Sequence, residues 1–156
     1  MHIHLIAVGT RMPDWVKAGF NDYAVRLPQE CLLRLIEIPA GKRSKNAGAA
    51  QALREEGERM LAAIPAGSRV IALDVKGRHW DTDQFVRQLD SWLHDGRDMT
   101  LLVGGPEGLA PAANARAEAA WSLSRLTFPH ALARIVVAEQ LYRAWSILRH
   151  HPYHRP

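Results

Sequence analysis

Cysteine is nearly absent from this chain: Cys31 is the single one among 156 residues. An intrachain disulfide and a cysteine-ligated metal site are both excluded as a result. Long hydrophobic runs are lacking too, since no apolar stretch approaches the roughly 18 residues of a transmembrane helix. The start of the chain lacks the basic residues and the small-residue cleavage site of a secretory signal peptide. We therefore expect one reduced domain, residues 1–156, in the cytoplasm and away from membranes.

Several catalytic signatures are missing as well. There is no G-x-G-x-x-G fingerprint and no Walker A sequence, so neither a dinucleotide-binding fold nor a P-loop is indicated. Ser122 and Ser124 lack the flanking glycines of a nucleophile elbow. His150, His151 and His154 lie in a tail with arginine and proline but no carboxylate, which is more typical of hydrogen bonding than of metal binding. We expect no metal site.

The excess of positive charge is small. The formal net charge is +4 with neutral histidines, and 23% of the residues are charged. This balance suits a polyanion such as nucleic acid, but a mildly basic enzyme has it too. One glycine-bearing loop concentrates three cations, and we take Lys42, Arg43 and Lys45 as candidate RNA-binding residues. A second cationic group, 149–155, ends the chain and contains aromatic and imidazole rings.

Strand-like and helix-like segments alternate along the chain. Short apolar runs predict strands at His2–Val8, Leu32–Ile38, 69–75, Met99–Val103 and 121–123. Capping residues and helical spacing of apolar residues predict helices at 14–27, 47–64, 82–94, 110–119 and 131–148. This alternation predicts an α/β fold, with a mostly parallel sheet and helices on both of its faces.

Two irregular loops follow predicted strands. The first is Gly-Gly-Pro-Glu-Gly at 104–108, which cannot continue a strand or a helix and lets a ligand approach the backbone. The second is 124–129, which follows the short run 121–123. Open α/β sheets bind ligands at the carboxyl ends of their strands. The two loops therefore predict a ligand site between them.

The last predicted helix is apolar on nearly all of its circumference. Leu132, Val136 and Ile147 add apolar surface on the side opposite to its main apolar face. A helix of this kind is buried on more than one face. We expect one face to pack on the sheet and the other to meet a second subunit in a homodimer. A central helix of a monomer with some exposed apolar residues is the alternative.

Six segments of the chain carry a family resemblance: IAVGTRMPDWV (6–16), LIEIPAGKR (35–43), LLVGGPEGL (101–109), WSLSRLTFPH (121–130), VVAEQLYRAWSI (136–147) and the closing HPYHR (151–155). Together they resemble the bacterial large-subunit ribosomal RNA methyltransferase H family, the pseudouridine-N3 methyltransferases of the SPOUT (α/β-knot) class. The resemblance implies a trefoil knot in the carboxyl-terminal part of the sheet. It also implies S-adenosylmethionine as the methyl donor, a homodimer, and 23S rRNA in the ribosome or its large subunit as the substrate.

The resemblance also assigns site residues. It places the cofactor at the end of the third strand and in the two loops, on Leu73, Gly104, Leu123, Ser124, Arg125, Leu126, Thr127 and Phe128. We add Gly105 because it adjoins Gly104. Glycine turns offer backbone groups and apolar side chains offer walls, which are what an adenine site needs. The catalytic candidates are Arg143, Tyr153, His154 and Arg155. Arg155 would hold a phosphate or a developing anion, and His154 would accept the N3 proton. Without the resemblance, the tail would read as a frayed terminus.

Two other functions fit part of the same pattern. A non-catalytic ribosome-binding factor would need the basic loop and the tail but no cofactor pocket, so binding of S-adenosylmethionine separates it. A SPOUT enzyme acting on transfer RNA or on a ribose 2′-hydroxyl would share the pocket. Mapping of the methylated nucleoside separates that second alternative.

Overall fold

The computed structural model describes residues 1–45 and 48–156. The strands are β1 (His2–Val8), β2 (Leu32–Ile38), β3 (Arg69–His79), β4 (Met99–Val103) and β5 (Ala119–Ser122). The helices are α1 (Asp14–Ala24), α2 (Gly48–Ala63), α3 (Thr82–Asp95), α4 (Pro111–Arg116) and α5 (His130–Leu148). The predicted order of strands and helices is confirmed.

The strands form one sheet in the order β2-β1-β4-β3-β5, and every neighbouring pair is parallel. Leu5 of β1 lies in register with Leu35 of β2 on one side and Leu101 of β4 on the other. Parallel neighbours need crossover connections, and helices supply them. The prediction of a parallel sheet is confirmed.

The side chains of β1 alternate between two hydrophobic cores. Ile3 and Leu5 belong to a core that α1, α3 and α5 complete. Ile6 and Val8 belong to a second core, which α2 and α4 complete on the other face of the sheet. Every residue of the central strand β4 is buried, as expected for a strand covered on both faces. Helices therefore lie on both faces, as the alternation of elements predicts.

The third strand differs from its prediction because it continues to His79 after leaving the ladder. Both Leu73 and Arg78 of β3 pair with Trp121 of β5, so the residues between them form an excursion, 74–77. Gly77 closes it where a Cβ would come within 2.7 Å of the Trp121 backbone nitrogen. The predicted strand, 69–75, ends inside the excursion, but the chain then returns to the sheet at Arg78 and the strand continues to His79.

Other boundaries shift by a few residues. The first helix ends at Ala24 rather than 27, and α4 is shorter than the predicted 110–119. The fifth strand begins at Ala119, two residues before its predicted start. The predicted first residue of the second helix, Ala47, lies outside the described residues. Over residues 1–45 and 48–156, no helix has the length and apolar character needed to cross a membrane.

Candidate functional site

A cavity of about 660 Å³ lies beyond the carboxyl ends of β4 and β5, beside the excursion of β3. It lies between the two irregular loops, as the loop pattern predicts. The structure brings together eight of the nine candidate cofactor residues: Leu73, Gly104, Gly105, Leu123, Ser124, Leu126, Thr127 and Phe128. Arg125, the ninth, is exposed and does not line the cavity.

Other lining residues carry weaker sequence signals. Trp121 and Leu109 add apolar wall, and Asn114 adds an amide. His130 and Ala133 line the cavity because α5 begins at its rim. Leu109, Trp121 and His130 lie inside segments that carry the family resemblance, whereas Asn114 and Ala133 lie outside them.

The glycine turn 104–108 is held by its own backbone. Gly108 N donates to the carbonyl of Gly105 at 2.9 Å, and Gly108 adopts a φ of 81°. A Cβ on Gly104 would overlap the carbonyl of Gly108 and approach Leu109 N at 2.7 Å. Glycine at 104 is therefore required by the turn itself, which forms one wall of the cavity.

The second loop is held by two serine hydroxyls. Ser122 Oγ donates to the carbonyl of Ser124 at 2.9 Å, and Leu126 N donates to Ser124 Oγ at 2.9 Å. These bonds place Leu126, which is 71% exposed, at the mouth of the cavity. An apolar side chain in this position can close over a bound ring.

The excursion of β3, a strand that lies between β4 and β5 in the sheet, forms another part of the cavity rim. Asp74 Oδ1 accepts a hydrogen bond from Lys76 N at 2.9 Å, so the carboxylate holds its own turn. Asp74, Val75 and Lys76 all line the cavity. The rim thus joins a carboxylate, an exposed apolar side chain and a cation.

Buried charges lie behind the cavity, where α5 begins. Arg134 is only 1% exposed and donates to Glu37 Oε2 at 2.6 Å and to the Gly9 carbonyl at 2.8 Å. This network ties α5 to the carboxyl ends of β1 and β2. Burial, aided by the positive charge of Arg134, lowers the pKa of His130, although Glu56 opposes the shift. The imidazole at the cavity is therefore kept neutral near pH 7.

The carboxyl-terminal tail folds back on α5. Tyr153 Oη donates to Glu139 Oε1 at 3.1 Å, and its ring packs edge-on against Tyr142 with ring centroids 4.7 Å apart. Arg143 donates through Nη2 to the same carboxylate at 2.6 Å and contacts His154 Nδ1 through Nη1 at 2.8 Å. The structure thus brings three of the four catalytic candidates together, and Arg155 remains exposed.

The tail cluster is remote from the cavity within one chain. Arg143 and His130 lie on the same helix, and at about 1.5 Å per residue they are about 20 Å apart along its axis. No residue of 149–156 is among those lining the cavity. A single subunit therefore does not join the catalytic candidates to the cofactor candidates.

The basic loop lies against the glycine turn. Arg43 Nη1 pairs with Glu107 Oε1 at 2.8 Å, and Gly41 N donates to the buried Glu56 carboxylate at 2.9 Å. Lys42 and Lys45 are exposed. Of the three predicted RNA-binding residues, Arg43 therefore lies against the glycine turn, and its charge is balanced by a carboxylate.

A separate group of titratable side chains lies at the amino end of the sheet. Donor atoms of His2, His4 and Asp98 all lie within 4.8 Å of one another. His2 N donates to Asp98 Oδ1 at 2.9 Å, so the carboxylate also holds the start of β1. Burial lowers the pKa of His4 against the opposing pull of Asp98. This cluster lies at the amino ends of the strands, whereas the cavity lies at their carboxyl ends, and the sequence patterns give no sign of it.

Comparisons with known proteins address the family and the fold of the chain. A family model described as "Predicted SPOUT methyltransferase" matches residues 1–154. A probable methylase family protein from Haemophilus influenzae Rd KW20 has a similar structure, with a TM-score of 0.56 and 12% identity over 99% of this chain and 70% of that chain. A structure described as "Structural insights into the 2-OH methylation of C/U34 on tRNA" has a TM-score of 0.51 and 20% identity, covering 93% of this chain and 91% of that chain. At these identities the two structures indicate a shared fold.

Proposed function

The chain belongs to the SPOUT methyltransferase family, and on that premise we propose that it methylates N3 of a pseudouridine in 23S rRNA. Family membership implies methyl transfer to RNA. The choice of base and of RNA rests on the six motifs that resemble the large-subunit methyltransferase H family. One observation supports methyl transfer from a bound cofactor: eight of the nine candidate cofactor residues line one cavity.

The cavity fits S-adenosylmethionine as the methyl donor. Its volume of about 660 Å³ is in the range of small-molecule sites. Leu73, Trp121 and Phe128 offer apolar walls for an adenine, and the glycine turn brings backbone groups to the same space. A neutral His130 adds no charge that would oppose a sulfonium cation. When bound, the cofactor supplies a methyl group on a cationic sulfur.

The acceptor nitrogen must lose a proton during methyl transfer. N3 of pseudouridine carries a proton at neutral pH, and that proton must leave as the methyl group arrives. Arg155 stays protonated and would hold a phosphate or the anion that forms at the base. Tyr153 and His154 offer rings on which a base can stack. We assign the RNA-reacting half of the site to this tail, with Arg143 holding it in place.

A homodimer would complete the site. Leu132, Val136 and Ile147 remain partly exposed along one side of α5, as an interface through that helix would need. The tail of each subunit lies about 20 Å along the helix from its own cavity. In a symmetric pair through α5, the tail of one subunit would approach the cavity of the other. The trefoil knot implied by the resemblance also belongs to this proposal.

Methyl transfer to defined RNAs tests the function. The protein is incubated with S-adenosylmethionine labelled in its methyl group and with free 23S rRNA, isolated large subunits, whole ribosomes or transfer RNA. The labelled nucleoside is then identified by mass spectrometry. We expect N3-methylpseudouridine in 23S rRNA.

Two outcomes would point elsewhere. A label on a ribose 2′-hydroxyl or in transfer RNA would assign the chain to the other SPOUT activity. Calorimetry that detects no binding of S-adenosylmethionine, together with ribosome binding, would favour a non-catalytic factor.

A further inference from the structure

A second cleft, of about 360 Å³, opens where β3 ends and α3 begins. It is lined by Arg78, His79, Trp80, Gln84, Arg87 and Gln88. We propose that this cleft binds phosphates of the RNA whose base is methylated. The inference rests on the proposed function for the identity of the RNA, but the cleft has its own geometry and charge.

The cleft and the cofactor cavity share an aromatic wall. Trp80 lines the cleft and Trp121 lines the cavity, and their ring centroids are 5.6 Å apart. Phe85 stacks on both rings, at 5.9 Å from Trp80 and 4.5 Å from Trp121. Since these rings pack tightly, the wall holds the two spaces at a fixed separation. A chain of nucleotides bound in the cleft would thus pass close to the cavity.

The excursion of β3 connects the same two spaces through the backbone. Lys76 lines the cavity and Arg78, two residues later, lines the cleft. Two residues of extended chain span at most about 7 Å. Arg78 and His79 pair with Trp121 and Ser122 of β5, so the sheet fixes their backbone. The excursion that forms the rim of the cavity therefore places the first cations of the cleft.

The charge of the cleft suits phosphates. Within residues 1–45 and 48–156, no carboxylate lies within 4.0 Å of the guanidinium nitrogens of Arg78 or Arg87, whereas Arg69, Arg97 and Arg149 each have an acidic partner. A guanidinium matches phosphate oxygens with two parallel hydrogen bonds.

The glutamines of the cleft add neutral donors to these charges. Gln84 Oε1 accepts a hydrogen bond from Asp81 N at 2.9 Å, which leaves its amide NH₂ as the donor. The Asp81 carboxylate accepts a bond from Gln84 N at 2.8 Å, so it is engaged in capping α3. The two arginines and the added amide donor form a surface suited to the RNA phosphate backbone, and such contacts carry no base specificity.

Salt-dependent RNA binding by matched variants tests the cleft. The test variant is Arg78→Ala with Arg87→Ala. The control is Arg54→Ala with Arg116→Ala, which removes two exposed arginines from α2 and α4 on the other face of the sheet. The dissociation constants for 23S rRNA and for isolated large subunits are measured over a series of salt concentrations, and that for S-adenosylmethionine by calorimetry.

We expect the test variant to bind both RNA probes roughly tenfold more weakly, with the slope of log K against log salt smaller by about 1 per lost phosphate contact. The control and a charge-preserving Arg78→Lys/Arg87→Lys variant should keep the wild-type slope, and all variants should bind S-adenosylmethionine equally. Equal RNA affinity and slope in test and control variants, or no RNA binding by the wild type, would overturn the inference. The wild type could bind RNA through these arginines and yet transfer no methyl group. That result would contradict the proposed function but would still support phosphate binding in the cleft.

Discussion

Arg143 and His154 form a hydrogen bond of 2.8 Å whose direction is set by chemistry. A guanidinium has only donors, so His154 Nδ1 must be the acceptor and the neutral ring carries its proton on Nε2. In this state His154 presents a donor to anything that approaches from outside. Accepting the N3 proton would therefore require the Arg143 contact to open, or the ring to turn, when RNA binds.

Leu126 offers a direct measure of cofactor contact at the cavity. Leu126→Ala removes an exposed side chain from the mouth and should weaken S-adenosylmethionine binding about fivefold, through loss of about 1 kcal/mol of apolar contact. The control is Val25→Ala, because Val25 is 78% exposed and outside the cavity, and Leu126 is 71% exposed. Calorimetry checks both, and equal affinities would show that the loop does not contact the cofactor.

Gly104 shows where sequence reasoning about the site reaches its limit. The motif marks 104–108 as a ligand turn, and the turn does line the cavity. The space beside Gly104, however, is filled by the carbonyl of Gly108, so a Gly104→Val change would break the turn before it met a ligand. A glycine pattern predicts that some group packs closely against the backbone. Only the folded structure shows whether that group belongs to a ligand or to another part of the chain.

The strand boundaries also differ in whether the local sequence or a distant contact determines them. The observed limits of β1, β2 and β4 match the runs that predict them. Every residue of the central strand β4 is buried, whereas the edge strand β2 has an exposed Arg34 and is recognised by the apolar residues around it. The return of β3 at Arg78 depends on pairing with Trp121, more than forty residues later. No local pattern encodes that contact, so the excursion and the cleft beside it could not be predicted.

We expect the affinity for the cofactor to depend on pH through His130. Its pKa is lowered by burial and by Arg134, so it gains a proton only as the pH falls below the ordinary histidine value of about 6.5. The resulting imidazolium would repel a sulfonium in the same cavity. We expect affinity for S-adenosylmethionine to fall with decreasing pH in that region, and His130→Gln to remove that component. An unchanged pH profile in the variant would show that His130 does not sense the cofactor.

Glu30 predicts a pH dependence for stability. Its carboxylate accepts hydrogen bonds from Arg149 Nη2 at 2.7 Å and from Trp145 Nε1 at 2.9 Å, and these bonds lower its pKa to about 2. A lowered folded-state pKa stabilises the fold above the unfolded value near 4.5, and this stabilisation is lost as the pH falls from there toward 2.

Denaturation with urea checks this expectation. Glu30→Gln should lower the free energy of unfolding at pH 7, and the difference from wild type should shrink at pH values below about 4. Glu58→Gln, at an exposed position of α2, serves as the control. A difference that is the same at both pH values would mean that the Glu30 contacts do not persist in solution.

We expect deletion of residues 153–156 to abolish methyl transfer while folding and cofactor binding are kept. The tail contributes the Tyr153 contacts to Glu139 and Tyr142 but no lining to the cavity, so the shortened protein should fold and bind S-adenosylmethionine. Methyl transfer should be abolished, because the acceptor base would lose Tyr153, His154 and Arg155. A truncated protein that methylates ribosomes at the wild-type rate would show that the tail has only a packing role.

Mixed dimers decide which subunit the tail serves. One chain carries Thr127→Trp, which places a large ring at an exposed lining position and should block the cavity without disturbing the core. The other chain lacks 153–156. Each variant alone should be inactive, but a tail that acts on the partner's cavity leaves one competent site in every mixed dimer. Because about half of the dimers are then mixed, roughly a quarter of the wild-type rate should return on co-expression. If the tail instead serves its own cavity, no mixture restores activity, because the one open cavity then belongs to the chain without a tail.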